Sequence, residues 1–150
     1  MLTCLRTDAE NADFIDLVAK LDADLKARDG DDHTFYAKFN KIDQVKFVIL
    51  AYEDDNPVGC GAIKKFDENT MEVKRMYVNV SYRGKGIATM VLGELELWAK
   101  EMNFDKCVLE TGKRQPEAVA LYLKNGYNVV RNFGQYENVE NSLCFEKNIR

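Results

Sequence analysis

The chain has 150 residues, 46% hydrophobic and 31% charged, with a formal net charge of −4; that length suits one domain, residues 1–150, with a good core and an ordinary soluble composition. The acidic balance argues against nucleic acid as a partner and makes a cationic amine electrostatically welcome. No apolar run reaches transmembrane length and the first residues, MLTCLRTDAENADF, hold no continuous apolar core, so neither a membrane contact nor a signal peptide is expected. Cys4, Cys60, Cys107 and Cys144 are scattered, with no CxxC and a single histidine beside them. That spacing suits neither zinc ligation nor a disulfide framework, so no metal is expected and the expected setting is a reducing cytoplasm.

Leu2–Arg6 reads as a short first strand. Asp8 and Glu10 can cap and charge the start of a helix whose apolar stripe includes Phe14, Leu17, Val18, Leu21 and Leu25, and Gly30 ends it. The polar turn Asp29–His33 leads into an aromatic segment, His33–Phe39. VKFVILAY (45–52) and VGCGAIKKF (58–66) are strands, and the short EDDNP between them leaves no room for a crossover, so they pair antiparallel. Asp67–Thr70 is a second tight connection, into a central strand running from Met71 to Val80. The helix Gly86–Met102, with Ile87, Val91, Leu95, Trp98 and Met102 on one stripe, then crosses over to a parallel strand at Lys106–Glu110. Pro116 suits the first turn of a further helix and Gly126 its end. Tyr127–Arg131 and Ser142–Lys147 read as two last strands, with no repeat, linker or low-complexity segment anywhere.

Between the central strand and its helix lies Arg83-Gly84-Lys85-Gly86, two glycines and two cations. First-turn N–H groups have no intrahelical acceptor, the helix dipole is positive there, and glycine lets a ligand approach the backbone. The loop is therefore read as a phosphate site. GxxxxGK[ST] spacing is absent, which excludes a P-loop. A dinucleotide fingerprint is opposed by Thr89 where a third glycine belongs, by Asn79–Tyr82 separating strand from glycine, and by the antiparallel chain before it. The segment fits [QR]xxGx[GA] as Arg83-x-x-Gly86-x-Ala88. Downstream, Ala118, Leu121, Tyr122, Gly126 and Tyr127 fit N-x-x-A-x-x-L-Y-x-x-x-G-[FY] in register, with Gln115 where asparagine is usual. In both motifs the chain resembles the GNAT superfamily of acyl-CoA-dependent N-acetyltransferases, over roughly Val45 to Tyr127.

The resemblance implies an α/β (α+β) fold: a mixed, mostly antiparallel sheet of about seven strands flanked by about four helices. It implies acetyl-CoA as co-substrate, held by Arg83, Gly84, Lys85, Gly86, Ile87, Ala88 and Thr89, with Met76, Tyr77, Val78, Thr111 and Gln115 as further contacts. A backbone N–H near Met76–Val78 would polarise the thioester carbonyl. Tyr122 takes the place of the acid that protonates the leaving thiolate. The region Asp31, Asp32, His33 and Tyr36 falls where the superfamily lines its acceptor side; the other reading is a solvated turn with core aromatics.

Glu72, Lys74 and Arg75 carry charge where a buried strand would be apolar, which marks the border of a cleft. An acceptor amine is mostly protonated at neutral pH and must lose a proton before attack. Glu72 falls where one branch of the superfamily places its general base; it can equally be the ion-pair partner of Lys74. Glu110, ending the neighbouring strand, is the second candidate. The function expected is direct acetyl transfer to a primary amine of a small molecule or peptide, by a monomer or homodimer; the alternative is a non-catalytic acyl-CoA sensor.

Overall fold

The computed structural model describes residues 1–29 and 45–150. Seven strands form one sheet, β1 (Leu2–Thr7), β2 (Phe47–Glu53), β3 (Asn56–Asp67), β4 (Thr70–Val78), β5 (Lys106–Gly112), β6 (Asn128–Val130) and β7 (Ser142–Asn148), in the spatial order β1-β2-β3-β4-β5-β7-β6. Every neighbouring pair is antiparallel except β4–β5. That exception follows from the long connection through α2 (Ile87–Glu101), the crossover a parallel pair requires. The other helices are α1 (Ala12–Asp29) and α3 (Pro116–Lys124). Among the described residues there are thus three α-helices, one fewer than the sequence reading expects; two single 3-10 turns, Val80–Tyr82 and Gly134–Tyr136, occupy connections.

Both faces of the sheet are covered. Phe14, Leu17 and Leu21 of α1 pack on Val48, Leu50, Cys60, Ala62 and Tyr77. On the opposite face Ile87, Val91, Leu92 and Leu95 of α2, with Tyr122 of α3, pack on Ile49, Ile63, Met71, Val73 and Leu109. Alternate residues of β2 and β3 serve opposite cores, which is why these two strands read as almost continuous apolar runs. The cap of α1 differs from the expectation. Asn11 closes it, accepting from the Asp13 N–H at 2.9 Å, while Asp8 accepts from Glu10 N–H at 2.9 Å in the turn before. Both residues are good acceptors, and the turn places Asn11 at the helix entry. Trp98 faces the sheet only partly, edge-on to Phe47 at 5.3 Å and under the Arg6 guanidinium at 4.8 Å.

Candidate active site

The parallel ladder joins Thr70–Glu72 to Lys106–Val108 and stops. Beyond it β4 continues to Val78 and β5 to Gly112 without pairing to each other, and the split between them exposes strand edges inside the molecule. A β-bulge shapes the β4 side. Cys60 pairs with Tyr77 and Ala62 with Lys74, so Arg75 and Met76 together oppose Gly61, with Arg75 at φ +60°. The extra residue shifts the phase of the strand. Met71 and Val73, then Met76 and Val78, serve the α2-side core, while Tyr77 joins the α1-side core. The Cys60 thiol donates to the Arg75 carbonyl at 3.3 Å. Gly61 makes room: a Cβ there would lie 2.5 Å from Met76 Sδ, 2.8 Å from Leu95 and 2.9 Å from Val91.

Two cavities open on the split and share Leu21, Met76, Gln115, Ala118 and Tyr122. The larger, about 420 Å³, is walled by the entry to α2: Arg83, Gly84, Gly86, Ile87, Ala88 and Thr89, with Tyr77 and Val78 beside them. Gly86 is the N-cap, in the left-handed region at φ +82°, with no side-chain cap bond, and the first helical bond runs from Met90 N–H to its carbonyl. The first-turn N–H groups before Met90 are therefore offered toward this cavity without intrahelical acceptors. Gly84 is left-handed too, at φ +80°, and a Cβ on either glycine would meet only open space. Asn125 Nδ2 donates to Thr89 Oγ1 at 3.3 Å and to the Leu121 carbonyl at 2.9 Å, tying the end of α3 to the start of α2.

Two cations of the loop serve it differently. Arg83 donates from Nε to the Val78 carbonyl at 2.9 Å, lies 5.5 Å over the Tyr77 ring and stands 3.9 Å from Asp24. It fastens the loop to the end of β4. Lys85 sits over the Tyr82 ring at 5.3 Å, off the walls of both cavities.

The smaller cavity, about 120 Å³, also reaches Tyr122 and is lined by two carboxylates and two cations. Glu72, Lys74, Arg75 and Glu110 line it, as does Thr111. Glu72 and Lys74 are both buried and stand 3.8 Å apart, an ion pair too long for a hydrogen bond. Glu110 accepts from Ser142 Oγ at 2.7 Å. Tyr122, buried against the rings of Tyr127 and Phe145 at 5.8 Å each, lines both spaces. Burial first, and the nearby Glu110 charge second, push its phenol well above the ordinary tyrosine range, so it stays protonated at neutral pH. Burial likewise raises the Cys60 and Cys107 thiols to about 12, which removes them as nucleophiles.

Asp31, Asp32, His33 and Tyr36 lie outside the described residues. Leu21 and Leu25 of α1, Tyr136 and Ser142 are site residues that the sequence reading did not single out. The leucines carry only the signal of a core stripe, and Ser142 only that of a strand start. Among the described residues no group of three or more His, Cys, Asp and Glu side chains is placed to hold a metal ion, and no helix is long and apolar enough to cross a membrane.

A split sheet with a glycine-entered helix on one side matches a known family: the acetyltransferase (GNAT) family model covers residues 14–127. The chain belongs to the GNAT family. Membership makes it an acetyl-CoA-dependent acyltransferase. It is 32% identical over 101 residues to YsnE, an uncharacterised N-acetyltransferase of Bacillus subtilis, covering 66% of this chain and 67% of that one. It is 37% identical over 100 residues to the IAA acetyltransferase of Azospirillum brasilense, covering 66% of this chain and 65% of that one. A crystal structure described as an acyl-CoA N-acyltransferase from Klebsiella pneumoniae superposes with a TM-score of 0.84 at 29% identity, over 100% of this chain and 99% of that one.

Proposed function

We propose that residues 1–150 form one N-acetyltransferase domain that moves the acetyl group of acetyl-CoA directly to a primary amine of a small molecule or protein. One observation carries this reading: the two cavities meet at Tyr122, one bordered by a helix entry suited to pyrophosphate, the other by carboxylates suited to an amine. In this reading the pyrophosphate accepts from the first-turn N–H groups of α2, and Gly84 and Gly86 leave the approach clear. The pantetheine arm runs along Met76–Val78, whose edge facing the split has no strand beside it, and a backbone N–H there polarises the thioester carbonyl.

The reaction then needs two protons removed from the amine nitrogen and one delivered to the leaving thiolate. An ammonium entering the smaller cavity loses a proton to Glu72, with Glu110 as the alternative acceptor, and the free amine attacks the thioester carbon. When the tetrahedral intermediate collapses, the C–S bond breaks, the coenzyme A thiolate takes a proton from the Tyr122 hydroxyl, and the second proton on the acylated nitrogen passes to the Tyr122 oxygen, restoring the phenol and leaving a neutral amide. The Tyr122 phenol is protonated at neutral pH and so has a proton to give when the thiolate forms beside it. No covalent enzyme intermediate is required, in keeping with the inert buried thiols. The setting we propose is the cytoplasm, and the acting form a monomer or homodimer.

The test is a screen of primary amines with acetyl-CoA that follows thiol release and the N-acetyl product together. Stoichiometric, amine-dependent release supports transfer. Tight acetyl-CoA binding with no turnover on any amine would instead make the chain a sensor.

A further inference from the structure

We propose that Glu96 of α2 is a positioning residue for the reaction: through the Tyr127 hydroxyl it fixes the Tyr122 ring relative to the helix that enters the cofactor site. The inference rests on the transfer reading above, with Tyr122 as the acid that serves the leaving thiolate. It concerns a polar cluster on the α2 side of the sheet, outside the walls of both cavities. Tyr127 is fully buried, and its hydroxyl donates to Glu96 Oε2 at 2.9 Å. Lys147 of β7 donates to the other oxygen, Oε1, at 2.8 Å and stands 5.8 Å over the Tyr127 ring. Burial first, then the neighbouring Cys107 and Glu96, push the Tyr127 phenol far above the ordinary tyrosine range, so it is a standing donor to the carboxylate. The Glu96 and Lys147 side chains are largely out of water, at 14% and 28% exposure. Ion pairs of this kind are a weak source of stability; what they can supply is one fixed geometry.

That geometry leads to Tyr122. The Tyr122 ring meets the Tyr127 ring edge-on, at 5.8 Å and 67°. The Tyr127 N–H donates to the Tyr122 carbonyl at 3.0 Å. Asn125, the C-cap of α3, reaches Thr89 Oγ1 at 3.3 Å. Thr89 and Glu96 lie about two turns apart on one face of α2. The segment that ends α3 is thus tied to α2 twice, at Thr89 beside the helix entry and at Glu96 further along. An acid must stand within hydrogen-bond reach of the leaving sulfur, and in the transfer reading the α2 entry sets where that sulfur lies. A link from α2 to the Tyr122 ring holds acid and leaving group in one frame.

Tyr127→Phe keeps the ring against Tyr122 and deletes only the tie to Glu96. It should remain folded by thermal melting and bind coenzyme A with unchanged affinity, with both KM values held and kcat lowered about tenfold. Two readouts separate positioning from packing. The loss should shrink with an acyl donor whose thiol is more acidic, because the impaired step is proton delivery. Tyr127→Phe should also cost nothing further in a chain that already carries Tyr122→Phe, since only the placement of that hydroxyl is at stake. A second pair of variants leaves Tyr127 whole: Glu96→Ala should show the same loss, and Glu96→Gln, which keeps an acceptor for the Tyr127 hydroxyl, should recover most of it. A wild-type kcat in Tyr127→Phe, a loss that adds in full to that of Tyr122→Phe, or a Glu96→Gln variant as slow as Glu96→Ala would overturn this inference and leave the transfer reading standing. Wild-type turnover by Tyr122→Phe would remove the acid from that reading, and no turnover by the unaltered chain on any amine would remove the reading itself; this inference falls in both cases.

Discussion

The two cavities that share Tyr122 differ in what lines the rest of their walls. The larger has one continuous loop and helix entry in its wall, Arg83, Gly84 and Gly86–Thr89, whose backbone offers the donors, with residues of β4 and α3 closing the rest. The smaller is lined by side chains from α1, β4, β5 and α3, set by packing among elements far apart in sequence. The difference teaches where specificity resides. A backbone cradle recognises one constant group and tolerates side-chain change, provided the glycines remain. A side-chain pocket can be altered one residue at a time, so the acceptor is free to vary while the donor stays fixed.

The largest expected effect attacks the cradle. Gly86→Val forces a β-branched residue to φ +82° and places a side chain in the open space above the helix entry. Calorimetry should find coenzyme A binding abolished. Unchanged affinity would move the cofactor site elsewhere. Attacking the pocket should do the reverse: Glu72→Gln keeps shape and removes proton acceptance, so turnover falls about 10²–10⁴-fold while coenzyme A affinity holds. A crippled Glu110→Gln beside a near-normal Glu72→Gln would exchange the two roles.

A smaller effect should come from Gly61→Ala, which touches neither cavity directly. The added methyl meets Met76, Leu95 and Val91 all inside 3.0 Å and so disturbs the bulge where the thioester carbonyl is expected to dock. Overpacking of this kind costs roughly 1–3 kcal/mol of stability, and a shift of the docking edge should lower kcat by about 10–100-fold. Circular dichroism and thermal melting establish that the variant is folded before its rate is measured. A folded variant with wild-type kcat would separate the bulge from the chemistry.

The same contrast decides what could be read from the sequence. The cradle is local: strand, glycines and helix entry follow one another within twenty residues, so spacing points to a phosphate loop, and the downstream motif from Gln115 to Tyr127 turns that into a family resemblance. The order of strands β2 to β5 was equally legible, because short turns force antiparallel pairing and a long helix permits a parallel one. The bulge was not, since Arg75 is neither glycine nor asparagine and nothing in β4 itself announces φ +60°. Its one trace is on the partner strand, where Gly61 interrupts an apolar run. Nor could the partner of Glu110 be found, because Ser142 reaches it across 32 positions. The cap of α1 went to Asn11 instead of Asp8 because two acceptors three residues apart compete, and turn geometry chooses between them.

Tyr122 stands where the two cavities meet, and its hydroxyl tests the account most directly. Tyr122→Phe preserves the ring against Tyr127 and Phe145 and deletes only the proton donor. The measurement is turnover on acetyl-CoA, set beside coenzyme A affinity and repeated with an acyl donor whose thiol is more acidic. The account predicts normal folding, unchanged affinity and a loss of roughly 10²–10⁴-fold in turnover, partly recovered with the acidic thiol, which needs less help in leaving. Wild-type turnover on acetyl-CoA would contradict it, and Tyr122 would then be a wall between two pockets and not the acid that joins them.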